Sequence, residues 1–290
     1  MFRSERMYLV YLWLLPTFIF VAIFSYYPAF SALWHSFYKW EYGLKPEFVG
    51  LKNFIKIFHD EANIIGVQNL VKIVLFNLMT SLVVPILVAH LIFSLKKESH
   101  RYWYRLLFII PMIIPGVVNT LVWRFIYSTE GIINQILNVL GLSQYAISWL
   151  SNYDTALYAI MVMGFPWVRA LNLLIVYAGL INIPGSVFDA AEIDGAGEIK
   201  KLFKIEIPLI MGQIKLLIVL TIINNIQIFQ HILILTNGGP GYATMVPGLN
   251  MYNSAFVFGK VGYACAIGTV LFIVILLLTI INMKYIKTSE

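Results

Sequence analysis

Residues 183–210 read IPGSVFDAAEIDGAGEIKKLFKIEIPLI, a polar interruption between two long apolar runs. Pro184 and Gly185 end the preceding run as a helix. Ser186, with Asp189 three residues on, has the spacing of a capping box that opens a new one. Gly195 and Gly197 break that second helix, Glu198 to Lys204 form a short amphipathic segment, and Pro208 marks entry into the next apolar run. The stretch therefore predicts two short helices at an angle, lying outside the apolar phase. Ala190, Ala191, Gly195 and Ala196 cluster near the bend, and small residues let a backbone lie close in a groove on another protein. Docking is one reading. The other is a helix resting on lipid headgroups through Lys200, Lys201 and Lys204.

The runs on either side set the class. Of 290 residues, 60% are hydrophobic and 12% charged, and the mean hydropathy of +0.82 is far above that of a soluble domain. A helix rising about 1.5 Å per residue needs roughly 20 apolar residues to cross about 30 Å of hydrocarbon. Runs of that size predict spans near residues 8–34, 70–95, 104–127, 155–183, 207–236 and 261–284 of one membrane domain covering residues 1–290. The expected fold is all-α, a polytopic bundle of six transmembrane helices. The stretch Gly131 to Tyr153 has no formal charge, but Asn134, Gln135, Asn138, Ser143, Gln144, Ser148 and Asn152 make it an amphipathic external segment rather than a seventh span. The first run is uncharged from Met7 to Tyr38, too long for a cleavable leader, so it is expected to stay in the mature chain.

Basic residues orient the bundle. One side collects Arg3, Arg6, Lys96, Lys97, Arg101, Arg105, Lys200, Lys201, Lys204, Lys215, Lys284 and Lys287; the other has Lys39, Lys45, Lys52, Lys56, Lys72, Arg124 and Lys260, diluted by Glu41, Glu47, Asp60 and Glu61. The positive-inside rule then places both termini, and the 184–207 loop, in the cytosol. The same distribution excludes a nucleic-acid partner, because the basic residues flank apolar runs and form no stripe with stacking aromatics. Pro16, Pro28, Pro85, Pro111, Pro115, Gly116, Gly164 and Pro166 punctuate the spans, either as packing kinks or as joints of a bundle that moves.

Polar residues inside spans are costly and face a cavity or another helix. Span five holds Asn224, Asn225, Gln227, Gln230 and His231, and helical spacing puts Asn224, Gln227 and His231 on one face with Asn225 to one side. These amides either bind sugar hydroxyls or bond between helices. Arg169, the one formal charge near the middle of span four, has three candidate partners: an acidic solute, a carboxylate of a partner subunit, or carbonyls beside Gly164 and Pro166. Trp123, Phe165, Trp167 and Phe229 could stack on sugar rings, a weak signal in so aromatic a chain. No catalytic residue and no metal site is expected. A Gly-x-x-x-x-Gly-Lys-[Ser/Thr] loop is absent, the five histidines are scattered, and Cys265 is the single cysteine. An ion-coupled transporter would carry acidic residues within its spans, and no Asp or Glu lies in the middle of any.

The order Asp189-Ala190-Ala191, Gly195, Ile205 and Ile207-Pro208, continued by Asp194-Gly195-Ala196, resembles the EAA loop of bacterial ATP-binding-cassette importer permeases. It is most similar to the carbohydrate uptake class typified by the maltose-transporter membrane subunits. Asp189 stands where Glu is usual, and Ile207 where Leu is usual; both keep the chemistry. The stretches Val49 to Phe54, Asn172 to Pro184, Thr236-Asn-Gly-Gly-Pro240 and Gly262-Tyr263-Ala264 extend the resemblance over nearly the whole chain. It implies that the loop is a coupling helix seated in a cleft of a cytosolic ATPase, with Asp189, Ala190, Ala191, Asp194, Gly195 and Ala196 at the contact. It further implies a second, related permease subunit, an ATPase dimer that carries the ATP and Mg²⁺, an extracytoplasmic solute-binding protein and a saccharide solute. The setting would be a bacterial or archaeal cytoplasmic membrane. Asn225 and Gln227 would line the pathway, and Gly195→Asp is expected to uncouple transport by obstructing docking.

Overall fold

The computed structural model describes the backbone of residues 2–285 and the side chains of residues 11–285. Of the residues used for orientation, Arg3 and Arg6 have side chains outside this range, and Lys287 lies outside the described residues. Helix dominates, as composition predicts. One exception to the all-α expectation is a two-stranded antiparallel ribbon after the first helix, with Tyr38 opposite Phe48 and Lys39 opposite Glu47.

Among the described residues, Tyr11–His35, Glu61–Phe93 and Val261–Tyr285 are continuous helices long and apolar enough to cross a membrane. Three further pairs of helices qualify only if a sharp bend is allowed: Glu98–Ile113 with Gly116–Ile126 at 90°, Ala170–Ile181 with Gly185–Ile193 at 72°, and Glu198–Leu209 with Met211–Ile226 at 73°. The 90° bend has a local cause. Ile114, which precedes Pro115, is extended at ψ 124°, as steric conflict with a following proline ring requires, and Pro115 then caps the helix Gly116–Ile126. Pro85, in contrast, sits inside Glu61–Phe93 without ending it.

Three expectations are corrected here. The apolar run 155–183 is two helices, Tyr153–Val162 and Ala170–Ile181; between them Gly164 takes φ +88° and Trp167 takes φ +58°. The run after Pro208 begins its helix only at Met211 and stops at Ile226, resuming at Gln230–Leu235. Asn224, Gln227 and His231 therefore do not share a helical face, because spacings of three and four align side chains only on an unbroken helix. Nor does the capping box at Ser186 form: the N-cap of the helix Gly185–Ile193 is Pro184, two residues earlier, with no side-chain bond. A proline at that point sets the entry without a hydroxyl.

The chain forms two compact units. In the first, residues 1–64 and 250–272, the core is Ile57, Tyr263, Ala266 and Ile267. Asn53 donates from Nδ2 to the carbonyls of Ser36 and Tyr38, both at 2.9 Å, which pins the ribbon. Asp60 Oδ2 accepts from Tyr263 Oη at 2.6 Å and from Asn250 at 3.2 Å. Gly262 donates to Trp40 O at 3.0 Å, and an added Cβ there would run into Tyr38 O and Trp40 N. Neither is a movable side-chain tip, so Gly262→Ala is expected to cost about 1–3 kcal/mol and to lower the melting temperature of the purified protein by several degrees in a thermal scan. An unchanged midpoint would contradict this packing.

The second unit, residues 65–249 and 273–290, is built on Ala89, Ile92, Leu173, Val176, Tyr177, Leu180, Ile183, Ile210, Ile214 and Leu217. This core joins the end of Glu61–Phe93, the helix Ala170–Ile181 and the first half of Met211–Ile226, directly behind the 184–210 loop. At Gly179 a Cβ would come within 3.0 Å of Gln213 and Ile210, so the absence of a side chain sets how closely two of these helices approach.

Candidate functional site

Breaks in three apolar runs bring polar side chains together. Arg169 caps the helix Ala170–Ile181, just after the interruption at Gly164 and Trp167. Its Nη2 donates to Asn77 Oδ1 at 3.3 Å, and Asn77 Nδ2 donates to Asn225 Oδ1. Asn225 is buried and donates to Thr221 O at 2.7 Å. In the same unit, Thr120 Oγ1 meets His231 Nδ1 at 2.6 Å. Among the described residues no carboxylate lies within ion-pair reach of Arg169. One of its five donors is occupied, and a guanidinium has no acceptor to offer, so four N–H groups remain for carbonyls, solute or a partner. Trp167 adds backbone strain at φ +58° and a buried Nε1–H without an acceptor, its ring edge-on to Phe76 and Phe165.

Of the predicted pathway residues, Arg169 and Asn225 thus join one network through Asn77, while Asn224, Gln227 and Gln230 are exposed on the surface of the chain. Asn77 and Thr120 were not singled out by sequence. Asn77 could have been, as a lone amide in an apolar run. Thr120 could not, because a threonine bonding its own helix carbonyl, here Gly116 O at 2.8 Å, is an ordinary membrane-helix feature.

The 184–210 loop carries a second set. Asp189, Ala190, Asp194 and Gly195 are exposed, Ala196 is half-buried, and Ala191 is buried at 6% exposure. Gly195 takes φ +67° with open space around its α-carbon, which turns the chain into the segment Glu198–Lys201. Large apolar side chains are uncovered on both arms: Ile193 at 87% exposure, Ile199 at 76% and Phe203 at 63%. Sequence spacing places these three in the loop without singling them out, since the small residues at the bend read as the contact. Behind the loop, His90 Nδ1 lies 2.7 Å from Glu206 Oε2. Burial pushes the Glu206 carboxyl up, against the pull of His90. Glu198 behaves oppositely: Lys201 Nζ, donating at 3.2 Å, holds its carboxyl below the usual range.

Elsewhere in this unit, the Thr236-Asn-Gly-Gly-Pro240 turn is more than a turn. Asn237 and Gly238 both take positive φ, Thr236 and Thr244 hydroxyls meet at 2.7 Å, and Asn69 Nδ2 donates to the carbonyls of Tyr242, Ala243 and Met245 at 3.0–3.2 Å.

Comparison with known proteins agrees with this architecture. Residues 81–288 match the family of the binding-protein-dependent transport system inner membrane component. The chain is 31% identical over 291 residues to the probable ABC transporter permease protein YurN of Bacillus subtilis, covering 99% of each. It is 30% identical to the sn-glycerol-3-phosphate transport system permease protein UgpA of Escherichia coli, covering 99% of this chain and 96% of that one. In fold it is similar to a chain of a bacterial alginate ABC transporter solved in complex with an alginate pentasaccharide-bound periplasmic protein, with TM-score 0.86 at 21% identity over 99% of this chain and 98% of that one. The family match spans most of the length and includes both the interrupted spans and the exposed loop, and the chain belongs to the binding-protein-dependent transport inner membrane components, the permease subunits of ABC transporters.

Proposed function

We propose that this chain forms one half of the pathway of an ATP-driven importer for a sugar, oligosaccharide or polyol. The observation that carries the solute class is the Arg169–Asn77–Asn225 network, which gathers donors and acceptors from three separate apolar segments. Such groups exchange readily with hydroxyls of a passing solute. In this reading the chain crosses the cytoplasmic membrane of a bacterium or archaeon six times with both termini inside. A second, different but related permease completes the pathway, and an extracytoplasmic binding protein delivers the solute. ATP and Mg²⁺ act on a cytosolic ATPase dimer, and the 184–207 loop is the docking element. ATP biases the bundle between inward and outward states only if the ATPase holds that loop differently in its two shapes.

Arg169 favours one narrower reading, an acidic saccharide or phosphorylated polyol. A guanidinium with no carboxylate partner among the described residues suits an anionic solute, and UgpA, by its name, serves sn-glycerol-3-phosphate.

The test is to purify the tagged chain in mild detergent from its native membrane, then reconstitute what co-purifies in vesicles. A second permease and an ATPase are expected, with solute uptake that requires ATP and the binding protein. A chain that purifies alone, even after crosslinking from the loop near Ala190, would overturn this reading.

A further inference from the structure

His90 lies three residues before the end of the helix Glu61–Phe93, and Glu206 is the last residue of the π-helical turn Leu202–Glu206. Both are buried, at 7% and 2% exposure, and they are the only buried His–Glu pair among the described residues. The ring also reaches the neighbouring arm of the loop, since His90 Nε2 is 3.9 Å from Glu198 Oε2. Ser94, just past the same helix, donates to that oxygen at 3.3 Å. One helix end therefore holds two successive pieces of the loop, Glu198–Lys201 and Leu202–Glu206, on the far side of the Gly195 turn from the exposed Ile193.

We infer that the His90–Glu206 pair is the joint through which the 184–206 loop drives the helix Glu61–Phe93, and with it Asn77, so that loop movement reaches the polar network directly. This rests on the importer reading above. Apolar contacts slide with little penalty, whereas parting a buried hydrogen-bonded pair, here at 2.7 Å, leaves polar groups unsatisfied in a poorly polarisable interior. Loop and helix end consequently move as one body. Asn77 lies thirteen residues before His90 on one continuous helix, about 20 Å along its axis at 1.5 Å per residue. That helix carries the displacement to the residue that holds both Arg169 and Asn225. His90 and Glu206 are positioning residues and need not touch solute.

Glu206→Ala would leave His90 buried and unpaired and endanger folding, so the informative variant is His90→Leu with Glu206→Leu, which removes both polar groups together. In a Cys265→Ser background, spin labels at Val83→Cys and Tyr158→Cys report the helix, and labels at Glu192→Cys and Tyr158→Cys report the loop; all three label positions are exposed. Distances are measured in the complex co-purified from native membranes, with ADP and then with ATP and vanadate. The native pair is expected to show ATP-dependent changes in both distances. In the double-leucine variant the loop distance should still change, while the Val83 change falls at least about threefold because the tie is lost. The exchanged pair, His90→Glu with Glu206→His, should restore it. A merely structural role would not produce loss confined to one distance. A full Val83 change in the double-leucine variant, or no recovery in the exchanged pair, overturns the joint while leaving the importer reading intact. A native complex in which neither distance responds to ATP overturns the importer reading itself, and the joint with it.

Discussion

Ile193→Asp is expected to strip the ATPase from the purified complex and to reduce ATP-dependent uptake by more than about tenfold. Ile193 ends the helix Gly185–Ile193 with 87% of its surface exposed, in a loop whose two arms both present large apolar side chains. Covering such a residue on docking is worth about 1.5–3 kcal/mol. Replacing it with a carboxylate loses that and adds the desolvation of a charge, which together exceed the roughly 1.4 kcal/mol that makes a tenfold change in affinity. The proper control is Val139→Asp. Val139 is equally exposed, at 88%, at the end of the helix Ile132–Val139, outside the 184–207 loop, and its replacement should leave ATPase recovery unchanged. Quantifying ATPase per permease after affinity purification decides the matter. Full recovery with Ile193→Asp would mean that the loop tip does not dock. The structure also explains why Gly195→Asp, the substitution suggested by the motif, is less informative: at φ +67° a side chain strains the backbone, so loss of coupling would mix a bent loop with an obstructed contact.

Arg169→Met should lower uptake of anionic solutes about 10–100-fold, the equivalent of the 1.5–3 kcal/mol that a hydrogen bond to a charged group contributes. Neutral sugars of the same size should be affected much less. Methionine keeps the length and the apolar stem, so the yield of assembled complex should hold. Arg169→Lys is the sharper variant. It keeps the charge but replaces a planar fork with a point charge, and should recover only part of the loss if the guanidinium grips an oxyanion in bidentate fashion. Competition between labelled sn-glycerol-3-phosphate and neutral disaccharides in reconstituted vesicles reads both. Equal loss for charged and neutral solutes would assign Arg169 to packing through Asn77 instead.

The division between what was legible in the chain and what was not follows from the physics of each feature. Apolar runs, their lengths and the loop at 184–210 depend on composition and local spacing, and so does the resemblance carried by Asp189, Gly195 and Pro208. Those could be read directly, and the family assignment agrees with the resemblance. The interruptions were harder. Gly164 and Pro166 marked a punctuation of span four and Pro208 the entry into span five, but proline and glycine are compatible with a kink, a cap or a full break. Neighbouring segments decide which, because they supply the partners for the freed backbone groups. Hence residues 155–183 looked like one span, and Asn224, Gln227 and His231 looked like one face.

By itself the sequence determined that this is a polytopic helical membrane protein with a polar, two-armed loop between apolar segments, since hydrophobic length and local breakers act over a few residues. Only tertiary structure decided which polar groups meet. Asn77 joins Asn225 across 148 positions, and His90 joins Glu206 across 116. No periodicity encodes such distances along the chain. In an apolar surrounding, each buried polar side chain takes whichever partner the packing of separate helices brings within reach, and that choice is made only when the helices assemble.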